Sequence, residues 1–400
     1  MSENGPTGVE TLPPGVIDMP AALAGCRGRL VERARLEWRP ADRGDPAALA
    51  EEFLTAHGLS VADLTRPAAH RSDGVCGAAL YVSAAAGALM TAAPPGAPTP
   101  APALPELVAV VYGHADETIP ARRPALAGAD GWWLGDWQES WTPRQHAEAV
   151  EAVRAAIGRG DVYQVNLVGH AAARYAGDPL PALARLGALP GARYGGTLTG
   201  ADWAIGCASP ETLIEVDAGR LITRPIKGTR PATAAGRRDL LASTKERAEH
   251  VMIVDLERND LARIARTGSV RVDELFAVRR WCDLWQAEST VSAAAGDGLG
   301  LADLLRAVCP GGSVTGAPKL AALHEIAALE PVGRGAGMGA LGWVGPGRVD
   351  LGLTIRTAAA DAGRLHVWAG GGITWGSDPA AEVAEAAAKS GPLRAVLAAG

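Results

Sequence analysis

Two short apolar runs joined by a tight link, at residues 212–216 and 220–224, constrain the fold of this chain most strongly. Both runs are rich in β-branched and long apolar side chains, which favour strands. The link at residues 217–219 ends in Gly219, the residue type that most easily adopts the left-handed backbone of a hairpin turn. We therefore predict an antiparallel hairpin in which Val216 lies opposite Arg220.

The open end of this hairpin would hold Glu211 and Lys227 close together, because Glu211 would lie near Pro225. A carboxyl group and an amine at one rim suit acid–base or nucleophilic chemistry. The alternative is an ordinary cross-strand ion pair, which stabilises a protein by less than about 1 kcal/mol when it is exposed. The hairpin alone favours the ion pair, so the rest of the chain has to decide between the two.

Composition excludes several classes of protein. With 400 residues, of which 48% are hydrophobic and 20% charged, the chain can bury a globular core. A formal net charge of −6 gives no basic surface for nucleic acid, and no apolar run reaches the length of a membrane span. The N-terminus lacks the pattern of a signal peptide. The five cysteines have no paired spacing, which argues against a zinc site or disulfides and predicts a cytoplasmic protein: they are Cys26, Cys76, Cys207, Cys282 and Cys309.

Residues 1–140 carry few signals of chemistry. Strands are predicted at residues 76–86 and 108–113. Between them, residues 92–105 are rich in Ala and Pro, which predicts an extended or mobile surface loop. We therefore interpret residues 1–400 as a single unit with a divergent N-terminal part, residues 1–140, and a motif-bearing part, residues 140–395.

An alternating strand is predicted after a helix that begins at Thr142 and ends at Gly158. In this strand, residues 160–167, the side chains of Gln164 and Asn166 share one face. They form either the polar side of a sheet edge or contacts to a ligand.

Two further predicted helices carry carboxylates. The helix that follows Ser243 contains a long apolar run, so much of its circumference should be buried and Glu249 beside the run needs a Lys, an Arg or a metal as partner. The helix that begins at residue 379 carries Glu382, Glu385 and Lys389 on one face. These side chains form either a solvated stripe or a set of ligands for a hard cation.

Two glycine-rich segments lie near the predicted site. Residues 310–319 resemble a phosphate loop, but Lys319 stands three residues after Gly316 instead of directly after it, so we predict a tight loop that leads into a helix. A second hairpin is predicted from residues 351–357 and 365–368. The glycines at 370–372 follow it, where bare backbone can approach a ligand closely.

Together these segments resemble the chorismate-utilising enzymes, in matching order through residues 140–395. The resemblance is carried by residues 163–167, 209–211, 225–231, 249–260, 310–319, 354–356 and 369–373. It implies an α/β (α+β) fold in which two large antiparallel β-sheets pack as a sandwich with helices outside.

Lys227 separates the branches of this family. Anthranilate synthases carry Ala at this position, whereas aminodeoxychorismate synthases carry Lys, so the resemblance implies amination of chorismate at C4 for p-aminobenzoate, folate or a specialised metabolite. Relatives that add water carry Lys at the position of Gln164. Because Gln cannot act as that base, a water nucleophile is disfavoured.

The resemblance also implies roles for the site residues. Glu211 would protonate the departing 4-hydroxyl, and Lys227 would attack C2 to form a covalent adduct that ammonia displaces by attack at C4. One carboxylate of chorismate would bind Mg²⁺ held by Glu249 and Glu382, with Glu385 acting through water. The other carboxylate would bind Arg356 and the backbone of Gly370, Gly371 and Gly372. Further substrate contacts are implied for Gln164, Gly228, Thr229, Thr315, Gly316, Trp343 and Lys389.

Two positions depart from the family pattern. Gln286 stands where the family usually has His, a residue that anthranilate synthases use in pyruvate elimination. Trp343 replaces a Tyr near the substrate carboxylate, and indole offers one donor but no acidic hydroxyl. Two alternatives therefore stay open, namely amination at C2 and an inactive homologue that only binds chorismate.

The source of ammonia is the last implication of the sequence. No nucleophile-elbow pattern surrounds any cysteine, so the chain shows no glutamine-hydrolysing domain of its own. We therefore expect ammonia to come from a separate glutamine amidotransferase subunit or from ammonium in solution, and we expect neither a nucleic acid nor a membrane as partner.

Overall fold

The computed structural model describes residues 30–66, 74–114, 131–281 and 284–399, which form two antiparallel β-sheets with helices packed on them. The predicted fold class is therefore confirmed. The N-terminal signals, Cys26 and Cys282 lie outside the described residues. None of the helices within those ranges is long and apolar enough to cross a membrane.

The strands of the first half of the chain are β1 (Leu30–Trp38), β2 (Val75–Val82), β3 (Leu107–His114), β4 (Trp133–Leu134), β5 (Gln138–Glu139), β6 (Gln164–Ala176), β7 (Tyr194–Thr199), β8 (Trp203–Ser209) and β9 (Thr212–Asp217). Those of the second half are β10 (Arg220–Arg224), β11 (Ile226–Pro231), β12 (Arg271–Trp281), β13 (Leu284–Ala294), β14 (Gly316–Ala317), β15 (Ala340–Gly345), β16 (Arg348–Leu353), β17 (Thr357–Asp361) and β18 (Arg364–Ile373).

The helices are α1 (Pro46–Ala56), α2 (Ala84–Met90), α3 (Pro143–Arg159), α4 (Leu180–Gly187), α5 (Ala234–Ala242), α6 (Thr244–Ala262), α7 (Leu301–Val308), α8 (Lys319–Leu329) and α9 (Pro379–Ala398). Their starts follow local sequence signals. The side chains of Asp45, Thr142, Ser243 and Asp378 each accept a hydrogen bond from the first turn of the helix that they precede.

The larger sheet has ten strands in the order β1-β3-β2-β15-β16-β9-β10-β13-β11, with β12 paired to β13. The smaller sheet has eight, in the order β14-β6-β18-β17-β8-β7, with β4 and β5 paired to β6. Strands from before residue 115 therefore share the larger sheet with strands of the motif-bearing part.

The main core lies between the two sheets. It joins buried side chains of the larger sheet, such as Leu80, Val110 and Leu351, to those of the smaller sheet, such as Leu198 and Ile205. Three smaller apolar clusters lie under helices on the outside, one below α3 and α8, one below α4 and α9, and one below α5. This layering is the sandwich that the sequence implies.

The hairpin of β9 and β10 forms, but its predicted register near the turn is wrong. Asp217 pairs with Arg220, so the turn has only two residues, Ala218 and Gly219, both at positive φ of 46° and 77°. Two positive φ values are typical of the type I′ turn, whose twist matches paired strands. A register shift at Thr223 then restores the expected alignment at the open end of the hairpin.

The predicted strand at residues 351–357 is also wrong, since it belongs to two sheets. Its first three residues end β16 in the larger sheet, and Thr357 begins β17 in the smaller sheet. The chain crosses between the sheets at residues 354–356, where Arg356 has a φ of 51°. The second hairpin therefore forms from β17 and β18.

Three smaller expectations need correction. The strand predicted at residues 76–86 ends at Val82, because Ser83 caps the helix α2. Helix α3 runs to Arg159 and ends at Gly160, which is left-handed, instead of at Gly158. Residues 92–105 are irregular as predicted, but they are not only surface, because Ala101 and Leu104 are buried in the main core.

Candidate active site

Lys227 lies on β11 in the larger sheet, and its amine points toward β18 of the smaller sheet. Its Nζ is 3.5 Å from Oε2 of Glu249 on α6. A Cβ placed on Gly372, in the smaller sheet, would lie 2.8 Å from the same Nζ. Only 22% of the lysine side chain is exposed. The backbone of Lys227 is itself held, because its carbonyl lies 3.2 Å from Nδ1 of His250, whose Nε2 lies 2.6 Å from Ser289.

Glu211 is buried in the bend between β8 and β9, at the open end of the hairpin. Its Oε1 accepts a hydrogen bond of 2.8 Å from Ser313, and its carboxyl group also accepts from the N–H of Ile226. Burial raises the pKa of Glu211 to about 7, against the opposing effects of these hydrogen bonds and of Arg356 and Lys227. A carboxyl group with this pKa can give up and take back a proton near neutral pH.

Arg356 occupies the crossing between the sheets, on the same side as Glu211. Its charge acts on Glu211, and its carbonyl accepts a hydrogen bond of 3.1 Å from the N–H of Ala208. A positive φ is unfavourable for a residue with a long side chain, so the surrounding structure must hold it there. The crossing thus places a guanidinium where the two sheets meet.

Gln164 and Asn166 face the same space from β6. Both side chains are buried, and the amide nitrogen and oxygen of Gln164 and the amide nitrogen of Asn166 have no hydrogen-bond partner in the structure. A Cβ placed on Gly372 would lie 2.8 Å from the amide nitrogen of Gln164. Buried polar atoms normally have partners, so these amides are suited to a polar ligand beside Lys227.

The glycines of β18 make this approach feasible. A Cβ on Gly370 would lie 1.9 Å from the carbonyl oxygen of Leu167, which no side chain tolerates. Gly372 faces Lys227 and Gln164, whereas Gly371 faces the opposite side of the strand, toward α9. Lys389 of α9 donates a hydrogen bond of 2.8 Å to the carbonyl of Gly370. Bare backbone therefore lines both sides of the strand end.

The carboxylates on α6 and α9 approach this strand end from two directions. Oε2 of Glu382 and Oε1 of Glu385 would lie 3.2 and 3.7 Å from a Cβ on Gly371, and Glu249 contacts Lys227 and Lys245 at 3.5 and 3.7 Å. Burial raises the pKa of Glu382, and the charge of Glu385 adds to the effect, against a hydrogen bond from Ser377. Burial also acts to raise the pKa of Glu385, but its ion pair with Lys389 and the charges of Lys227 and Lys245 together lower that pKa.

These carboxylates fit a hard cation of modest protein ligation. Within the described ranges, no three His, Cys, Asp or Glu side chains are arranged as a closed metal cage. Mg²⁺ needs no such cage, because it keeps several waters and binds proteins through one or two carboxylates. A cation here would also relieve the repulsion between Glu382 and Glu385. The donor set therefore suits Mg²⁺.

Other residues that the sequence predicted for the site lie around it or away from it. Gly228, at a φ of 88°, and Thr229 continue β11 beyond Lys227. The hydroxyl of Thr315 is turned into its own loop, where it donates to the carbonyls of Gly311 and Gly312, and Gly316 pairs with Val165.

The predicted position of Trp343 near a substrate carboxylate is wrong. Its indole is buried in the main core, where it stacks on Tyr112 with ring centroids 5.9 Å apart. A Cβ on Gly77 would lie 2.6 Å from the same indole, so this glycine makes room for the ring. The replacement of Tyr by Trp is therefore a packing change between strands β2, β3 and β15.

Sequence reasoning missed two polar residues behind Glu211. Ser313 lies in the short 3₁₀ helix Gly312–Val314 and binds Glu211 directly. Glu257 is buried on α6, and its carboxyl group accepts a hydrogen bond from the backbone of Ser313. The available signal for Glu257 was a charged residue directly after the apolar run of α6.

Comparison with known proteins gives a consistent relationship. The sequence profile of the chorismate binding enzyme family matches residues 106–395. Aminodeoxychorismate synthase component 1 of Salmonella typhimurium is 43% identical over 256 residues, covering 62% of this chain and 56% of that protein. Anthranilate synthase component 1 of Streptomyces coelicolor is 39% identical over 281 residues, covering 68% of this chain and 54% of that protein. The chain thus matches little more than half the length of these relatives.

Solved structures agree on the fold. Anthranilate synthase component I from Streptococcus pneumoniae superposes with a TM-score of 0.76 at 24% identity, covering 98% of this chain and 95% of that chain. The menaquinone-specific isochorismate synthase from Escherichia coli gives a TM-score of 0.61 at 16% identity, covering 92% and 94%. These two likenesses concern the arrangement of sheets and helices.

Proposed function

This chain belongs to the family of chorismate binding enzymes, and from that premise we propose that it aminates chorismate at C4 to give 4-amino-4-deoxychorismate. The observation that carries the proposal is the position of Lys227 between Glu249, Glu211 and the bare backbone of Gly372. An amine so placed suits attack on a ring that is bound against the glycine strand. The similarity to aminodeoxychorismate synthase component 1 of several bacteria supports the same reaction.

The substrate would be held by opposite charges at its two carboxylates. Arg356 offers a planar set of donors to one carboxylate, and the backbone near Gly370 adds neutral donors. Mg²⁺ held by Glu249 and Glu382, with Glu385 through water, would neutralise the other carboxylate. The unpartnered amides of Gln164 and Asn166 would contact the polar edge of the ring. Position 164 is Gln, which is not a base, so the site has no basic side chain there to activate a water molecule as the nucleophile.

The first half of the reaction uses Glu211 as an acid. Lys227, as a neutral amine, bonds to C2, both ring double bonds shift, and the C4–O bond breaks. Glu211 gives its proton to the departing hydroxyl, which leaves as water. The product of this half is a secondary ammonium group, in which the nitrogen of Lys227 is bonded to C2 and keeps its two protons, so that it can later leave as a neutral amine.

The second half uses Glu211 as a base. Ammonia bonds to C4, the double bonds shift back, and the bond between C2 and Lys227 breaks. The carboxylate of Glu211 then takes a proton from the new ammonium group, so the site returns to its starting state. The overall exchange consumes chorismate and ammonia and releases the amine and water.

Ammonia would be supplied by a separate glutamine amidotransferase subunit. The three cysteines within the described residues, Cys76, Cys207 and Cys309, are buried, and burial raises the pKa of the last two. Inert buried thiols do not suit glutamine hydrolysis. The relatives' designation as component 1 also fits a two-component enzyme. We further expect a cytoplasmic location and a role in making p-aminobenzoate for folate or for a specialised metabolite.

Amination at C2 is the second candidate, because an anthranilate synthase component 1 is 39% identical and its alignment covers 68% of this chain. Lys227 and Gln286 argue against it. Gln286 is buried on β13, where an amide cannot shuttle a proton as an imidazole does.

Incubation with chorismate, MgCl₂ and ammonium across neutral to alkaline pH, with separation of products by chromatography and mass, tests the proposal. A C4-aminated product is expected. Anthranilate or its precursor would instead establish the second candidate. Unchanged chorismate, in the presence of a competent amidotransferase, would identify a binding protein without activity.

A further inference from the structure

A second buried carboxyl group, that of Glu257, lies directly behind Glu211. Both residues are 5% exposed, and Ser313 touches both. The Ser313 hydroxyl donates to Oε1 of Glu211 at 2.8 Å, and its backbone N–H donates to the carboxyl group of Glu257. One residue of a tight loop therefore joins two acidic side chains that belong to different elements.

The charges around Glu257 leave it without a counter-ion of its own. Lys319 of α8, the nearest cation, already binds Asp260 at 2.7 Å, and both partners are nearly fully buried. Asp260 on the same helix and Glu211 add negative charge toward Glu257, and Arg263 acts on Asp260. Thr223 of β10 offers only a hydroxyl, 3.4 Å from Oε2 of Glu257. Glu257 and Asp260 thus share one lysine in the interior.

A second negative charge here would be costly whenever Glu211 is ionised. The proposed reaction ionises Glu211 between its two halves, and that anion lies in a space that excludes water. Glu211 and Glu257 would repel each other if both were ionised, and the only lysine near Glu257 is already bound to Asp260, so one of the two groups holds a proton. Since Glu211 must cycle, the proton has to stay on the other group.

We infer that Glu257 is a positioning residue for Glu211: its neutral carboxyl group, held by Ser313, keeps the buried pair at a single negative charge while Glu211 is ionised. The inference rests on the proposed function, in which Glu211 moves the proton. It assigns a role to a residue that touches neither substrate nor metal.

The titration of the two groups fits this role. Burial, with the added charges of Asp260 and Glu211, raises the pKa of Glu257 to about 8 against the opposing effects of Lys319 and of the hydrogen bond from Ser313. Burial likewise raises the pKa of Glu211 to about 7, so both carboxyl groups keep protons into the neutral range. Because the two groups interact, the observed steps belong to the pair.

The test compares wild type, Glu257→Gln and, as a matched control, Asp255→Asn, an exposed carboxylate two residues away on the same helix. The rate of adduct formation on Lys227 is measured by mass against pH, without ammonia. Because Lys227 must be neutral in all three proteins, its titration is common to them and the profiles are compared by their slopes. On the alkaline side, wild type and control should show a two-proton profile that falls tenfold per pH unit more steeply than the one-proton profile of Glu257→Gln, which is neutral at every pH.

Infrared absorption of protonated carboxyl groups, in protein without substrate, gives a second measurement that does not need activity. In wild type, the bands of two protonated carboxyl groups should disappear as the pH is raised from 6 to 10. One of these bands should be absent from Glu211→Gln, and the other should be absent from Glu257→Gln. The inference is overturned if Glu257→Gln keeps the two-proton profile or the full set of bands. If the protein never modifies chorismate, the proposed function fails, while the infrared comparison still decides whether Glu257 is neutral. If Glu257→Gln does not fold, the infrared titration of wild type decides: two deprotonation steps support the inference, and a single step, that of Glu211, overturns it.

Discussion

The amine of Lys227 lies 3.5 Å from the carboxylate of Glu249, so the proposed nucleophile and a proposed metal ligand share one contact. An ammonium group and Mg²⁺ compete for the same oxygen atoms. Occupation of Glu249 by the cation would weaken this ion pair and favour the uncharged amine that attack at C2 requires. Metal binding and activation of the nucleophile are then linked through a single side chain.

Replacing Glu249 or Glu382 with Gln should abolish activity at low Mg²⁺. Each change keeps the shape of the side chain and removes the charge that a hard cation prefers. Activity is measured against MgCl₂ concentration, with Glu148→Gln, an exposed carboxylate on α3, as control. Full activity and an unchanged Mg²⁺ dependence in both variants would mean that these carboxylates are solvated surface.

Replacing Lys227 with Ala should remove the covalent adduct and nearly all amination at C4. The adduct is sought by mass on intact protein with chorismate and without ammonia, and Lys245→Ala serves as control because Lys245 also contacts Glu249. Space left beside C2 should allow ammonia to enter, so trace product aminated at C2 is expected. Amination at C4 by Lys227→Ala at the wild-type rate would exclude Lys227 as the nucleophile.

Replacing Glu211 with Gln should lower the rate by about 10²–10⁴-fold, the usual contribution of a positioned acid. Because Glu211 acts as an acid with a pKa of about 7 and Lys227 must be neutral in both proteins, the ratio of the wild-type rate to the variant rate of adduct formation should fall as pH rises above about 7. A variant whose pH profile matches that of wild type would assign the proton transfer to another group.

The same substitution should stabilise the protein. A folded pKa of about 7, against 4.5 in the unfolded chain, means that the native state binds more protons between these pH values, so stability falls as pH rises through this window. Glu211→Gln removes this penalty and should raise the free energy of unfolding by up to about 3 kcal/mol at pH 8, and by little at pH 4. Urea unfolding at the two pH values measures the difference, and equal gains at both would contradict the assignment.

Loss of the buried ion pair of Glu330 and Arg334 should lower the free energy of unfolding more than loss of the exposed pair of Asp255 and Arg258. Arg334 binds Glu330 at 2.6 Å and also donates to the carbonyls of Val314 and Asn166. It therefore joins the loop of residues 310–319 to β6. Arg334→Leu should cost about 3–5 kcal/mol, because a buried carboxylate loses its partner. Arg258→Leu, which breaks an exposed pair on α6, should cost less than about 1 kcal/mol in the same urea assay.

Local patterns predicted much of the frame of this site. Capping residues and periodicity located α6, α8 and α9, and the hairpin brought Glu211 to the level of Lys227. The turn register was missed because Ala218 adopts a positive φ, which its residue type does not suggest. The crossing at Arg356 was missed because the alternation of side chains continues through it without interruption.

Contacts between distant segments could not be predicted in this way. Ser313, Glu257 and Glu211 lie on three elements, and nothing local to any of them indicates the other two. The misplacement of Trp343 has a similar cause, since a position inferred from relatives does not say which way a larger ring will turn. Its packing against Gly77 depends on a neighbouring strand far away in sequence.

Because the chain crosses between the sheets at residues 354–356, the position of the Arg356 side chain depends on how the two sheets are aligned. The chain leaves the larger sheet at Thr354 and enters the smaller sheet at Thr357. Arg356 lies between these two points, so its position is fixed by both sheets. Glu211, by contrast, is fixed to the larger sheet through a hydrogen bond of 3.1 Å from the N–H of Leu353 to its carbonyl. Any sliding of the layers, for example after loss of the 2.6 Å bond from Tyr194 to Asp350 that joins them, therefore changes the spacing between acid and guanidinium. Distant core substitutions can in this way alter substrate affinity without touching the site.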